Sequence, residues 1–288
     1  MRQLILATMI LAGTVASAPA PVSPSQAPIA QITLQEYFGK LRKVQVTVNG
    51  SKRDFLFDTG GGYTSIDPSI ATAAGCRSRG MLTGFRMSGE RLDMPKCGRV
   101  ELVIDGMRLE TEAGKSEISA LLPKELPPLY GIISLQTFKN HAITLDLANN
   151  RIIVESDESL RARTATMTPL DVNFFNEMDG RGLDVFLRVN TAADAIYMLL
   201  DSGDLAGNFL RPSTWQELAD TDAAPAPGEN GELTFDFGKA GRLTLPVQAK
   251  DMIHEGVLDV RFVEFAVFTF DFPNRRAWIR FNDKRGSI

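Results

Sequence analysis

Asp58 and Asp201 are the residues around which chemistry can be built. Each ends an apolar run, Phe55-Leu56-Phe57 before Asp58 and Ile196 to Leu200 before Asp201, and each opens a turn of small residues, Asp58-Thr59-Gly60 and Asp201-Ser202-Gly203. Two carboxylates held close share one proton, because like charges at that distance cannot both ionise. One is then a base towards water while the other donates to a carbonyl. Titration belongs to such a pair rather than to either member. Gly60 and Gly203 let the backbone come close to the acids, and the hydroxyls of Thr59 and Ser202 can hydrogen-bond across the two loops. A single Asp-Thr-Gly is an ordinary turn in which the aspartate bonds its own backbone. Its recurrence is what carries weight.

Other chemistries lack their residues. The chain has two histidines, His141 and His254, and two cysteines, Cys76 and Cys97, none at metal-ligand spacing, so no metal is expected. Gly60-Gly61-Gly62 lacks the Gly-Lys-Ser/Thr of a phosphate loop, and no Gly-x-Ser-x-Gly elbow is present. Cys76 and Cys97 read either as a disulfide, if the chain leaves the cytoplasm, or as two buried thiols. Asp146 and Asp271, followed by Asn149 and Asn274, read as caps of hairpin turns. His141 reads as a surface or loop residue.

The elements that must position the two aspartates are strands, and they recur. Val44, Val46 and Val48 alternate with polar residues up to a turn at Asn49-Gly50, after which the apolar run leads to Asp58. Leu183, Val185, Leu187 and Val189 alternate in the same way before a polar turn and the run into Asp201. A second pair of segments matches without a gap: Gly131 to Arg151, ending in Ile143-Thr144-Leu145-Asp146-Leu147, and Gly256 to Arg276, ending in Phe268-Thr269-Phe270-Asp271-Phe272, at a constant offset of 125 residues. Two matched pairs in one order indicate an internal duplication. Short helices are expected at Pro68 to Ala74 and Pro212 to Ala219, each with proline at its first position. Glu155 to Thr168 reads as a polar linker and Ala219 to Gly231 as a mobile insertion. Gly84, Phe85 and Met87 lie in a glycine-rich segment, Gly80 to Leu92, that suits a flap-like hairpin.

With 288 residues, 44% hydrophobic and 23% charged, the chain is long enough for two compact units. A net charge of −4 offers no basic field for nucleic acid. Arg2, the apolar run from Leu4 to Ala12 and the small residues Ala16 to Ala18 read as a secretory signal peptide, cut after Ala16 or after Ala18. No later run reaches the roughly 20 apolar residues of a membrane helix. The expected division is a signal at 1–18, a proline-rich tether at 19–30, a first lobe at 31–154, a linker at 155–168 and a second lobe at 169–288. A periplasmic or secreted location follows.

Apolar runs entering Asp-Thr-Gly and Asp-Ser-Gly, each followed by a hydrophobic-hydrophobic-Gly-like segment, make the chain similar to the aspartic peptidases over Val44 to Val154 and Leu183 to Ile279. What the resemblance implies is an all-β, bilobal pepsin/retropepsin-like fold with pseudo-twofold symmetry and an interlobe cleft. It also implies Asp58 and Asp201 as a catalytic dyad supported by Thr59, Gly60, Ser202 and Gly203, and an exported aspartic endopeptidase acting on a peptide or protein substrate. No cofactor is implied, and a monomer is expected because both copies lie in one chain. Three positions depart from the family: Ser134 and Asp259 stand where it has glycine, and Asp204 where it has a small residue. Asp204 either raises the dyad's pKa or sits outside the cleft. The departures leave a second reading, a peptide-binding or assembly protein of the cell envelope with a compromised dyad, and a third, an unrelated all-β binding protein.

Overall fold

Strand Arg42–Val48 buries every second residue, so Val44, Val46 and Val48 form one apolar face. Asn49 and Gly50 both adopt positive φ, 45° and 77°, which a two-residue hairpin turn requires, and Val48 pairs with Ser51 across it. Strand Ser51–Phe57 then delivers Asp58. Strand Asp184–Asn190 pairs in the same way with Ala195–Leu200, which delivers Asp201. Each delivering strand is held on its other side by a parallel partner: Leu56 and Phe57 align with Ile132 and Ile133, and Leu199 and Leu200 with Val257 and Leu258.

The computed structural model describes residues 27–282, except 179, 192, 193, 221–225, 227 and 229. The signal-peptide reading, most of the tether and much of the 219–231 insertion therefore fall outside the described residues. The protein is all-β with few, short helices. One sheet has thirteen strands and a second has seven. Each curls back on itself: Val46 and Thr47 pair with Ile104 and Val103 in the first, and Asn190 pairs with Asp236 in the second, giving barrel-like closures.

The expected bilobal pepsin/retropepsin-like fold is not supported. Ala142–Asp146 and Ala266–Asp271, the two matched segments, pair antiparallel inside the thirteen-stranded sheet, with Thr144 opposite Thr269 and their hydroxyls 2.8 Å apart. Pairing satisfies the backbone groups of both segments against each other, where separate lobes would leave each an open edge. A single apolar cluster runs through both halves, from Phe55, Phe57 and Leu102 to Trp215, Phe235 and Phe268.

Three local features refine the sequence expectations. Helix Pro68–Ala71 is shorter than expected and is capped by Asp67, whose side chain accepts from the Ser69 N–H at 2.9 Å. Helix Pro212–Asp220 buries Trp215 and Leu218. The stretch read as a polar linker contains helix Asp157–Thr164, started by a reciprocal cap: Ser156 Oγ accepts from Ser159 N–H at 3.1 Å, and Ser159 Oγ accepts from Ser156 N–H at 2.9 Å.

Cys76 and Cys97 form a disulfide that ties the chain after the first short helix to strand Arg91–Ile104, across 21 residues. Closing a loop of that length removes unfolded-state entropy equivalent to about 3 kcal/mol. The Cys76→Ser/Cys97→Ser variant should lose stability of that order in urea unfolding. A reductant should cause the same loss in the parent protein and none in the variant.

Candidate functional site

The loops after the two delivering strands meet in the interior. Asp58 N–H donates to Ile133 O at 3.0 Å and Asp201 N–H to Leu258 O at 2.9 Å, so each loop is hung from the parallel strand beside it. Gly60 N–H donates to Asp58 Oδ1 at 2.9 Å and Gly203 N–H to Asp201 Oδ1 at 2.8 Å. The loops are locked together by their hydroxyls. Thr59 Oγ1 donates to Leu200 O at 2.6 Å and accepts from Ser202 N–H at 2.9 Å, while Ser202 Oγ accepts from Thr59 N–H at 3.0 Å. Thr59 and Ser202 are buried.

This lock brings Asp58 and Asp201 within hydrogen-bonding reach of each other. The close approach depends on glycine: a Cβ at Gly60 would stand 2.5 Å from Asp201 Cγ, and one at Gly203 would stand 2.6 Å from Asp58 Cγ. Burial, then the charges of Asp58 and Asp204, hold the Asp201 carboxyl well above the usual carboxylate range. Asp58 is raised too, by burial first, although the Gly60 N–H and the Asp201 side chain act to lower it. With both carboxyls raised and side by side, the arrangement suits a single proton shared by the pair. No cation is among the groups acting on either acid.

Of the other sequence-singled residues, Asp204 is half-buried near the pair and raises both acids. Ser134 is accommodated where it lies, buried and hydrogen-bonded to Thr64 Oγ1 at 3.2 Å. Asp259 caps helix Val260–Phe265, accepting from Arg261 N–H and Phe262 N–H at 3.0 and 3.2 Å. Asp146 and Asp271 each bind the side chains of the Asn three residues on and the Arg five residues on, and Asp271 alone also caps its turn by accepting from Asn274 N–H at 3.3 Å. His141 is half-buried and lines a separate polar cavity of about 490 Å³ with Asn140, Asp157 and Asp271.

Strand Met81–Phe85 pairs with the start of Arg91–Ile104, so Gly84, Phe85 and Met87 belong to a hairpin. Its tip is docked rather than free: Met87 packs on the cluster of Phe186, Leu199, Phe209, Met252 and Val257, and Met87 O accepts from Ile253 N–H at 3.0 Å. Gly84 lies against the Met178 side chain.

Sequence reading missed Asp184 and Glu177. Asp184 falls at the polar step of an alternating strand, which predicts a solvent-facing side chain, yet the strand is buried on both faces at that point and Asp184 is 4% exposed. Burial first, then Glu177, Asp58 and Asp201, push its carboxyl well up. Only the position of the opposing loop would have revealed this.

No protein-family model matches the chain, and no curated protein does. Among solved structures it is similar to basic 7S globulin from soybean, at 11% identity and a TM-score of 0.53, covering 87% of this chain and 94% of that one. It is also similar to conglutin gamma, a basic 7S globulin from lupine seeds, at 10% identity and a TM-score of 0.54, covering 88% and 94%. At this identity the likeness concerns the fold. It corrects the expected family: the neighbours are globulins, not pepsin- or retropepsin-type peptidases, and the expected aspartic endopeptidase, with its hydrolase and protease character, is overturned with it. The compromised-dyad alternative gains no clear support from these neighbours either. Two Asp-initiated turns specify a local geometry, which unrelated activities can share.

Two outcomes follow from the buried pair. Thr59→Val keeps the side-chain shape but leaves Leu200 O and Ser202 N–H without their partner in the interior, and should cost roughly 2–4 kcal/mol in urea unfolding. A carboxyl raised above its unfolded value of 3.8 stabilises fully below that pH, and its contribution is lost as pH rises through the raised value. The stability difference between the parent protein and Asp201→Asn should therefore shrink steadily as urea midpoints are measured upward from pH 4.

Proposed function

We propose that the chain is a ligand-binding protein in which Asp58 and Asp201 hold a neutral group of an extended ligand by hydrogen bonds to the proton they share. The observation that carries this reading is the arrangement of the pair itself: two buried acids without a cation, cross-braced by Thr59 and Ser202. One protonated and one ionised carboxyl side by side form a donor next to an acceptor. A neutral group that offers both, such as an amide or a hydroxyl, complements them, whereas an anion is repelled and leaves a buried charge unpaired.

The partner proposed is a peptide or protein segment, because an extended backbone offers an amide at every residue. The docked hairpin around Met87 would have to yield to admit it. Division of the chain into units at 31–154 and 169–288, with the pair between them, belongs to the same proposal, as does action as a monomer. So does export to the periplasm or the medium, which the Cys76–Cys97 bridge supports, since such bridges persist in oxidising compartments.

The test is a set of uncharged hexapeptides and neutral oligosaccharides, titrated calorimetrically from pH 4 to 8 against the parent protein, Asp58→Asn and Asp201→Asn. Binding of peptides that weakens as pH rises, and that falls at least tenfold in Asp201→Asn, supports the reading. Absence of binding at every pH by folded protein overturns it, as does binding of the saccharides alone. Appearance of peptide fragments in the mass spectrum also overturns it, in favour of chemistry at the pair.

A further inference from the structure

A second acid pair lies beside the first. Glu177 sits in the tight loop before strand Asp184–Asn190, where its carbonyl accepts from the N–H groups of Arg181 and Gly182, both at 3.0 Å. Its side chain turns inward to meet Asp184 over Gly62, where a Cβ would stand 2.7 Å from Glu177 Oε1 and 3.2 Å from Asp184 Oδ2. Asp184 is 4% exposed, and its Oδ1 has no hydrogen-bond partner.

Every charged group acting on Asp184 is an acid: Glu177, Asp58 and Asp201. The Arg181 guanidinium, in the same loop as Glu177, bonds Glu112 at 2.5 Å. His254 senses Glu177, but burial lowers its pKa and keeps it neutral near pH 7, with its ring 5.1 Å from that of Phe186. A buried acid with an orphaned oxygen, and only acids among the described charged groups acting on it, is an incomplete site.

Glu177 also lines a cavity of about 580 Å³ between the hairpin and the seven-stranded sheet. Of the seven exposed large hydrophobic residues among the described residues, four line it: Phe85, Phe175, Tyr197 and Ile253. Glu255 is the other charged residue in its wall, and no lysine or arginine lines it. Apolar, aromatic walls leading to acids at one end complement a group with an apolar stem and a cationic head.

We infer that this cavity takes a lysine-type alkylammonium group of the ligand, its stem against Phe85 and Phe175 and its ammonium between Glu177 and Asp184. The inference rests on the Asp58–Asp201 pair being a ligand site and names a side chain that such a ligand carries. Burial favours the protonated form of Asp184, so the arriving ammonium displaces that proton.

The test uses two peptides, acetyl-Ala-Ala-Lys-Ala-Ala-amide and its norleucine counterpart, titrated calorimetrically at pH 6 in two buffers of different ionisation enthalpy. The lysine peptide is expected to bind at least tenfold more tightly, with a buffer-dependent heat that reports proton release. Glu177→Gln, a change at the cavity wall, should bring the two affinities together, and Asp184→Asn should do so if it folds. Equal affinities in the parent protein, or an undiminished lysine preference in Glu177→Gln, overturn this inference while leaving the Asp58–Asp201 pair as a binding site. Binding of neither peptide overturns both.

Discussion

The exchange of hydrogen bonds between Thr59 and Ser202 is the constraint from which the centre of the molecule follows. Each residue gives its hydroxyl to the backbone of the other's loop, so neither loop can shift without leaving buried donors and acceptors unsatisfied on both sides. That mutual dependence overcomes the repulsion between two acids brought together from positions 143 residues apart. It also explains the small residues around it. Gly60 and Gly203 are the only side-chain size that leaves the carboxyls room.

Electrostatics in this interior are managed by protons rather than by counter-ions. Surface acids of the chain are commonly matched to bases, as Glu101 is to Arg108 and Glu158 to Arg161. Around Asp58 the acids meet other acids, and burial keeps the neutral form favoured. Removing the charge in this way avoids the desolvation cost of a buried ion, which an isolated carboxylate could not meet. The same region is consequently at its most favourable in acid, opposite in sign to salt-bridged positions such as Glu112, whose carboxyl is held low by Arg181.

Much of this was legible because it is local. An apolar run ending in Asp-Thr-Gly or Asp-Ser-Gly names its own turn, and the Asn three residues after Asp146 and Asp271 names the side-chain bond that forms there. The repeat at a constant offset was also legible, and it marks segments that pair with one another at Thr144 and Thr269. What sequence could not supply was the relation between distant pieces. Asp184 sits at an outward-facing step of its strand, and only the loop carrying Glu177 and the turn at Gly62 enclose it. Helix Asp157–Thr164 escaped because its cap uses Ser159 where the familiar signature has Glu or Gln. The family resemblance overreached for the same reason: it was carried by two short turns, whereas activity depends on everything arranged around them.

Strand Ala30–Glu36 has the longest reach of any early element. It lies inside the thirteen-stranded sheet, with Ala30 opposite Val154 on one side and Leu34 opposite Val44 on the other. A chain emerging from the ribosome therefore cannot complete its first strand's neighbourhood until more than half of the polypeptide has been made, and the sheet is finished only when Arg276–Phe281 arrives. Contacts so distant along the sequence make for slow closure and a long-lived incompletely paired state. The export proposed for this chain would draw on that delay, which keeps a polypeptide threadable before it folds.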